Sequence, residues 1–418
     1  MDFIVGKSKL SGTVSVPSSK SILQRFMIAG MFAEGITELN DVHHCSDTVS
    51  CIKAVEKLSG LMHHGSLTDM KITGTGGKIN PATGAINCGE SGFALRSLAA
   101  VTALSDKPHF LTGEGSLLNR PMGFIENVLK ELNVDCKSAD GYLPLEIKGP
   151  ISFKDISIDG SLTSQFLSGL IMVYPFAKEE HSIHVHNLKS KFYVDLTIDV
   201  LKNFGIVIHN NDYMEFRIPG NQQYKACNAK MEGDWSAASF MLVAGAIAGD
   251  VTVDNISIDS LQPDKAILKV LEKAGATIGV DQLSISARKN NLDSFSFNAT
   301  DCPDLFPPLV ALAIHCSGRT EITGVERLIH KESNRALALQ QEFSKMNDKL
   351  IEIEGNKMII HGGMPLKKII ADSHNDHRIA MALAVAGLAI EGGITITGGE
   401  SVEKSYPGFF SDLSSLIT

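Results

Sequence analysis

Val14-Ser15-Val16-Pro17-Ser18-Ser19-Lys20-Ser21, running into Ile22-Leu23-Gln24-Arg25-Phe26-Met27-Ile28-Ala29-Gly30, reads as a short strand, a polar loop and an apolar helix. The same joint returns five times, with turns at residues 88–92, 160–165, 232–236, 301–304 and 373–378. Lys20, Ser91, Ser164, Asp234, Asp304 and Asp376 mark it at intervals of about 70 residues, a period that signals a repeated fold. After each joint helix comes a β-branched strand, then a second helix, expected at 47–58, 121–132, 265–273 and 332–346 where its periodicity is clearest. Two strands with a turn close the unit. The predicted unit is β-α-β-α-β-β, repeated six times in an α/β chain.

The last unit has no closing strand pair at the C-terminus, and residues 2–16 have strand character that can supply it. This places the N-terminal strands with the C-terminal half, so the chain crosses between domains near Ser18 and Met231. The expected domains are 19–231 and 1–18 plus 232–418, three units in each, with the active site in the cleft between them.

The joints carry an electrostatic meaning. The first turn of a helix has backbone N–H groups without partners and a partial positive charge, so a polar turn entering a helix suits an anion. Arg25 stands four positions after Ser21, and Arg96 four after Gly92. Helical side chains lean toward the N-terminus, which returns both guanidinium groups to the same spot. Several such ends around one cleft would hold a doubly anionic substrate, or two anionic substrates together.

Composition narrows the alternatives. The 418-residue chain is 44% hydrophobic and carries a net charge of −9, which argues against general nucleic-acid binding. Residues 1–5 show no basic region followed by a long apolar core, so no signal peptide is expected. The longest apolar run, 379–390, is too short to span a bilayer. Seven cysteines without a CxxC pair point to reduced thiols and a cytoplasmic location, with Cys45 and Cys51 expected to be buried. His181, His184 and His186, with His43-His44 and His63-His64, raise a metal reading. No carboxylate or Cys is spaced with them as a closed site requires, so no metal is expected.

Taken singly, Lys20-Ser21-Ile22-Leu23-Gln24-Arg25, Arg120-Pro121, Lys331-Glu332-Ser333-Asn334-Arg335, Asn375-Asp376-His377-Arg378 and Lys404-Ser405-Tyr406-Pro407 each fit a solvated turn, a cap or an ion-pair face. Together they fall at equivalent joints or second-helix starts. In that order, with Leu111-Thr112-Gly113-Glu114, Ser164-Gln165-Phe166 and Glu232-Gly233-Asp234, they closely resemble the 5-enolpyruvylshikimate-3-phosphate synthase family over nearly the whole chain. The resemblance implies an inside-out α/β barrel of two three-unit domains that close on the substrates. It implies transfer of the enolpyruvyl group of phosphoenolpyruvate to the 5-hydroxyl of shikimate 3-phosphate (EC 2.5.1.19) without a metal or organic cofactor, in the pathway to chorismate and aromatic amino acids, by an expected monomer.

By the same resemblance, Ser21 and Arg25 take the shikimate carboxylate, and Thr163, Ser164, Ser190 and Lys331 lie near its 3-phosphate. Gln165 lies over the ring, with Tyr193 in the same pocket. Asp304 deprotonates the 5-hydroxyl, and Glu332 protonates the methylene carbon. Lys20, counted with the catalytic groups, joins Gly92, Arg120, Gln165 and Lys404 around the phosphoenolpyruvate phosphate, while Arg335 and Arg378 hold its carboxylate. The chain departs from the family pattern at Glu90, where Asn is frequent, at Phe93, where a small Thr is usual, and at Arg327, where an Asn often meets the shikimate hydroxyls. Two rivals stand beside this reading. The sister transferase acting on a UDP-amino sugar has a Cys in the loop corresponding to 113–118 and Lys-Asn at its first joint, neither found here. The other is a binding protein that kept the fold without turnover.

Overall fold

The computed structural model describes residues 1–58, 60–64, 68–82 and 84–418. The chain divides into two compact units, one formed by Ser18–Met231 and the other by Met1–Pro17 with Glu232–Thr418. Each unit is built around three joint helices. In the first they are Lys20–Phe32, Gly92–Thr102 and Gln165–Val173. In the second they are Trp235–Ala248, Phe306–Ala313 and His377–Gly387.

Beyond the polar residues near their entries, such as Gln24, Arg25, Arg96 and Arg378, these helices are almost wholly apolar, and that composition dictates their place. Every residue of Trp235–Ala248, Gly92–Thr102 and His377–Gly387 is buried, as expected of a helix with no polar face to offer water. Small residues allow the close approach. A Cβ on Gly169 would lie 2.8 Å from Ser97 Cα on the neighbouring helix. The sheets take the outer positions and alternate buried with exposed residues, as along Ile156–Asp159 and Tyr142–Lys148. Helices within and sheets without is the inside-out arrangement. All seven cysteines are free thiols, and Cys45 and Cys51 are buried.

Among the described residues there are six sheets, five of four strands and one of three. In each, the strand leading into a joint or its substitute runs parallel to the strand that follows a joint helix, and an antiparallel hairpin or single strand completes the sheet. At the two crossings the leading strands are exchanged. Leu10–Ser15 leads to the Lys20–Phe32 helix yet pairs in parallel with Gly249–Asp254. Asn228–Lys230 leads to the Trp235–Ala248 helix yet pairs in parallel with Ile36–Asn40.

This corrects the expectation that residues 2–16 would supply the whole missing strand pair of the last unit. Only Phe3–Val5 does so, antiparallel to Ile394–Thr397, which leaves that sheet three-stranded. Leu10–Ser15 goes to Gly249–Asp254 because Gly249 lets the backbones meet: a Cβ there would lie 1.9 Å from Leu10 O.

Two second helices begin later than their periodicity suggests. The one expected from 121 starts at Gly123, since Pro121 holds Arg120 extended at ψ 136°. The one expected from 332 is Arg335–Ser344, because Asn334 caps it by accepting from Leu337 N at 3.3 Å. Lys331, Glu332 and Ser333 therefore precede the helix and are not on one of its faces. The segment expected at 265–273 enters through a 3₁₀ turn, Pro263–Ala266, and continues as Ile267–Lys273.

Candidate active site

In the Ser18–Met231 unit the joints and second-helix starts bring together two polar groups. The first begins at Lys20, whose Nζ meets Asp47 Oδ2 at 2.9 Å. Gln24 Nε2 donates to Asp47 O at 3.1 Å and to Ser91 Oγ at 2.8 Å. Ser91 in turn caps the Gly92–Thr102 helix by accepting from Ala94 N. At Gly92 three side chains converge. A Cβ there would lie 3.0 Å from Nη1 of both Arg120 and Arg96 and 3.3 Å from Gln165 Oε1. Arg96 Nη1 donates to Gln165 Oε1 at 2.6 Å, and Arg120 Nη2 to Ser116 Oγ at 3.1 Å. Glu90 fits here without opposing an anion: its Oε2 accepts from Ser116 N at 2.9 Å and Ser116 Oγ at 2.8 Å. It pins the Gly115–Asn119 turn that carries Arg120.

The second group surrounds Arg25, which is 1% exposed. Its Nε donates to Thr197 Oγ1 at 2.8 Å, Nη1 to Ser21 O at 2.7 Å, and Nη2 to Tyr193 O at 3.0 Å. Nη1 also reaches Ser21 Oγ at 3.4 Å. The Phe93 ring lies across the guanidinium, its centroid 4.2 Å from Cζ. Burial pulls the Arg25 pKa down to about 9, with Tyr193 acting weakly the other way. No carboxylate among the described residues forms an ion pair with it. A buried cation without an anion is costly, and this one stands at a helix entry. Ser164 and Ser190 are buried nearby in sequence to Gln165 and Tyr193; Thr163 Oγ1 accepts from Gln165 N at 3.1 Å, and Ser190 has a left-handed φ of 54°.

The other unit gathers its charges around Asp304, on the 3₁₀ turn Pro303–Leu305 that opens the Phe306–Ala313 helix. Asp304 Oδ1 accepts from Lys331 Nζ at 3.3 Å and Arg335 Nη1 at 2.9 Å, and Oδ2 from Arg378 Nη2 at 3.1 Å. Burial pushes this carboxyl up, but the Arg378, Lys331 and Arg335 charges outweigh it and hold it well below the usual carboxylate range. Burial pulls Lys331 down, against the attraction of Asp304. Arg335 is 1% exposed. Besides Asp304 it reaches Asp376 through Nε at 2.8 Å and Nη2 at 3.2 Å, and Glu332 Oε2 through Nη2 at 2.5 Å. Burial opposes its charge, yet Asp376, Glu332 and Asp304 together raise its pKa above the ordinary value. Lys404, at the end of the Gly399–Lys404 turn, donates to Asn375 O at 2.6 Å, next to Asp376. Arg327, in the Val325–Leu328 turn, is lowered by burial and feels Glu326, Asp301 and Asp304.

Sequence reasoning missed three contributors. Asp47 partners Lys20, whereas Arg96, expected at its helix entry from spacing alone, meets Gln165. Asp376, expected only as a cap, grips Arg335 with both oxygens. Asp264 accepts from Ser236 Oγ behind the cluster, and burial and the Asp304 charge push it up to about 6. Asp47 and Asp264 had a signal, since both follow their joints at the offset that places Lys331 and Lys404.

Of the histidines considered for a metal, His43 sits at the first joint, where its Nδ1 accepts from Ser18 N at 3.3 Å. His181 Nδ1 is 3.4 Å from Asp155 Oδ1, a carboxylate that the sheet rather than sequence spacing supplies, and His186 Nε2 is 2.8 Å from Ser157 Oγ. No three His, Cys, Asp or Glu among the described residues are grouped to hold a metal ion; the His64 side chain lies outside the described residues. No helix among them is long and apolar enough to cross a membrane.

The six sheets and buried joint helices define the enolpyruvyl transferase class of fold. The chain superposes on EPSP synthase from Acinetobacter baumannii with TM-score 0.84 at 24% identity, covering 100% of this chain and 98% of the other. It superposes on the enolpyruvyl transferase NikO from Streptomyces tendae with TM-score 0.77 at 16% identity, covering 99% and 96%. Residues 4–413 match the model of EPSP synthase (3-phosphoshikimate 1-carboxyvinyltransferase). The 3-phosphoshikimate 1-carboxyvinyltransferases of Clostridium novyi and Clostridium acetobutylicum are 35% and 36% identical to it, each covering 97% of this chain and 95% of the relative. The chain belongs to the EPSP synthase family.

Proposed function

We propose that this chain transfers the enolpyruvyl group of phosphoenolpyruvate to the 5-hydroxyl of shikimate 3-phosphate, releasing phosphate. The observation that carries the mechanism is one carboxylate, Asp304, gripped by three cations. So held, it is a poor base. An incoming substrate carboxylate or phosphate that draws on Lys331, Arg335 and Arg378 loosens that hold and raises its basicity. Asp304 then takes the hydroxyl proton as the oxygen attacks C2, while Glu332 gives a proton to the methylene carbon. Elimination reverses the second transfer: the new methyl returns its proton to Glu332, the C2–O bond to phosphate breaks, and the leaving phosphate carries off the hydroxyl proton that Asp304 held.

Arg25 and Ser21 hold the shikimate carboxylate in this proposal. The Ser21 hydroxyl accepts from Arg25 Nη1 and keeps its own proton to donate to that carboxylate. Thr163, Ser164, Ser190 and Lys331 serve the 3-phosphate, Gln165 and Tyr193 flank the ring, and Arg327 takes the place beside the hydroxyls. Lys20, Arg120, Lys404, Gln165 and the backbone at Gly92 hold the phosphoenolpyruvate phosphate, and Arg335 and Arg378 its carboxylate. A cytoplasmic monomer is part of the proposal, the first supported by the seven free thiols and the second checked by sedimentation velocity. Phosphate release measured with both substrates present, against either alone, tests the reaction. Binding of shikimate 3-phosphate with no phosphate release would leave only a binding protein.

Gly92 offers a narrower test. A Cβ 3.0 Å from two guanidinium nitrogens must push both tips aside. Gly92→Ala should raise KM for phosphoenolpyruvate about tenfold or more, the scale of one misplaced charge-assisted hydrogen bond. KM for shikimate 3-phosphate and the thermal midpoint should hardly move. Steady-state kinetics with each substrate varied in turn gives the comparison.

A further inference from the structure

Phe93 stands where the family usually has a small polar residue, and it lies across Arg25 at 4.2 Å. The other sides of the guanidinium are also accounted for. Its own helix supplies Ser21, and the Phe192–Asn203 helix supplies the Tyr193 carbonyl and Thr197. Thr197 is backed in turn by Ser168 of the Gln165–Val173 helix at 2.9 Å. Among the described residues, Tyr193 is the titratable group whose charge acts on Arg25; Lys20 is engaged by Asp47, and Arg96 by Gln165.

We propose that Phe93 is a positioning residue acting through Arg25: it seals one face of the guanidinium from water and leaves only an edge, beside the Ser21 hydroxyl, for a planar carboxylate. This rests on the assignment of Arg25 to the shikimate carboxylate. Two opposing effects of one ring make it testable. The apolar bulk of Phe93 contributes to the burial that lowers the Arg25 pKa to about 9, whereas the π face attracts the cation and favours the charged form. Arg25 must be charged to hold an anion, so affinity for shikimate 3-phosphate is present below this pKa and lost as pH rises through it.

The two effects separate in two variants. Phe93→Leu keeps the apolar cover and loses the π face, so the loss of affinity should move to lower pH by about one unit. Phe93→Ser admits water, so the loss should move to higher pH, while affinity at pH 7.5 weakens about tenfold as the pair becomes solvated. Calorimetric titration with shikimate 3-phosphate between pH 7.5 and 10 reads both, and carbon NMR of Cζ-labelled arginine follows the Arg25 titration without any ligand. Opposite shifts of the two variants are the expected result. Wild-type profiles in both, or shifts of the same sign, overturn the proposal. Arg25→Met, run in parallel, keeps the two readings apart. Unchanged affinity there refutes the carboxylate assignment itself, whereas lost affinity with unmoved Phe93 profiles refutes only the role of Phe93.

Discussion

Asp304→Asn should lower kcat by about 10²- to 10⁴-fold, the usual contribution of a positioned general base, and should at the same time tighten binding of phosphoenolpyruvate. The second effect follows from the cluster. Lys331, Arg335 and Arg378 all direct N–H groups at Asp304. A neutral amide no longer competes with an incoming carboxylate or phosphate for those charges. The fold should survive, because Arg335 keeps Asp376 and Glu332, and Asn has the shape of Asp. Phosphate-release kinetics gives kcat, calorimetry gives the phosphoenolpyruvate dissociation constant, and a thermal melt checks folding. A folded variant with wild-type turnover would remove Asp304 from the mechanism. Reduced turnover with weaker phosphoenolpyruvate binding would show that the three cations need the carboxylate in order to stay in place.

Arg25→Met should separate affinity from stability. Losing a buried charge-assisted contact to the substrate costs about 2–5 kcal/mol, so affinity for shikimate 3-phosphate should fall by about 30-fold to several thousandfold. The thermal midpoint should stay level or rise. At neutral pH the folded chain keeps Arg25 charged against the burial that lowers its pKa to about 9, and no carboxylate among the described residues offsets this. The sign is that of a base whose folded pKa is depressed: its charge disfavours folding below that pKa, and the penalty fades as pH rises through it. Little is orphaned by the change. Ser21 O and Tyr193 O lie four residues before Arg25 and Thr197 in their helices and keep the ordinary helical bonds. Thr197 Oγ1 keeps Ser168. A midpoint lowered by many degrees would mean that Arg25 is a structural strut first.

The repeat at about 70 residues and the largely apolar joint helices were legible because both are local properties of the chain: turn chemistry recurs in sequence, and a helix with so little polar surface can only be buried. Charge type was legible too. Lys20, Arg25, Arg120, Lys331, Arg335, Arg378 and Lys404 stand at equivalent positions whatever their partners. What the chain alone did not reveal was who faces whom within each unit. Leu10–Ser15 was expected to complete the last unit, yet Gly249 admits its backbone to another sheet, and Asp376 was only a cap until Arg335 met both its oxygens. Asp304 was marked by its joint and by resemblance, but only packing set three cations against it. Hydrophobic period and turn propensity are carried by neighbours in the chain, whereas strand exchange, the bare charge of Arg25 and the restraint on Asp304 arise between residues tens of positions apart, and tertiary contact alone decides them.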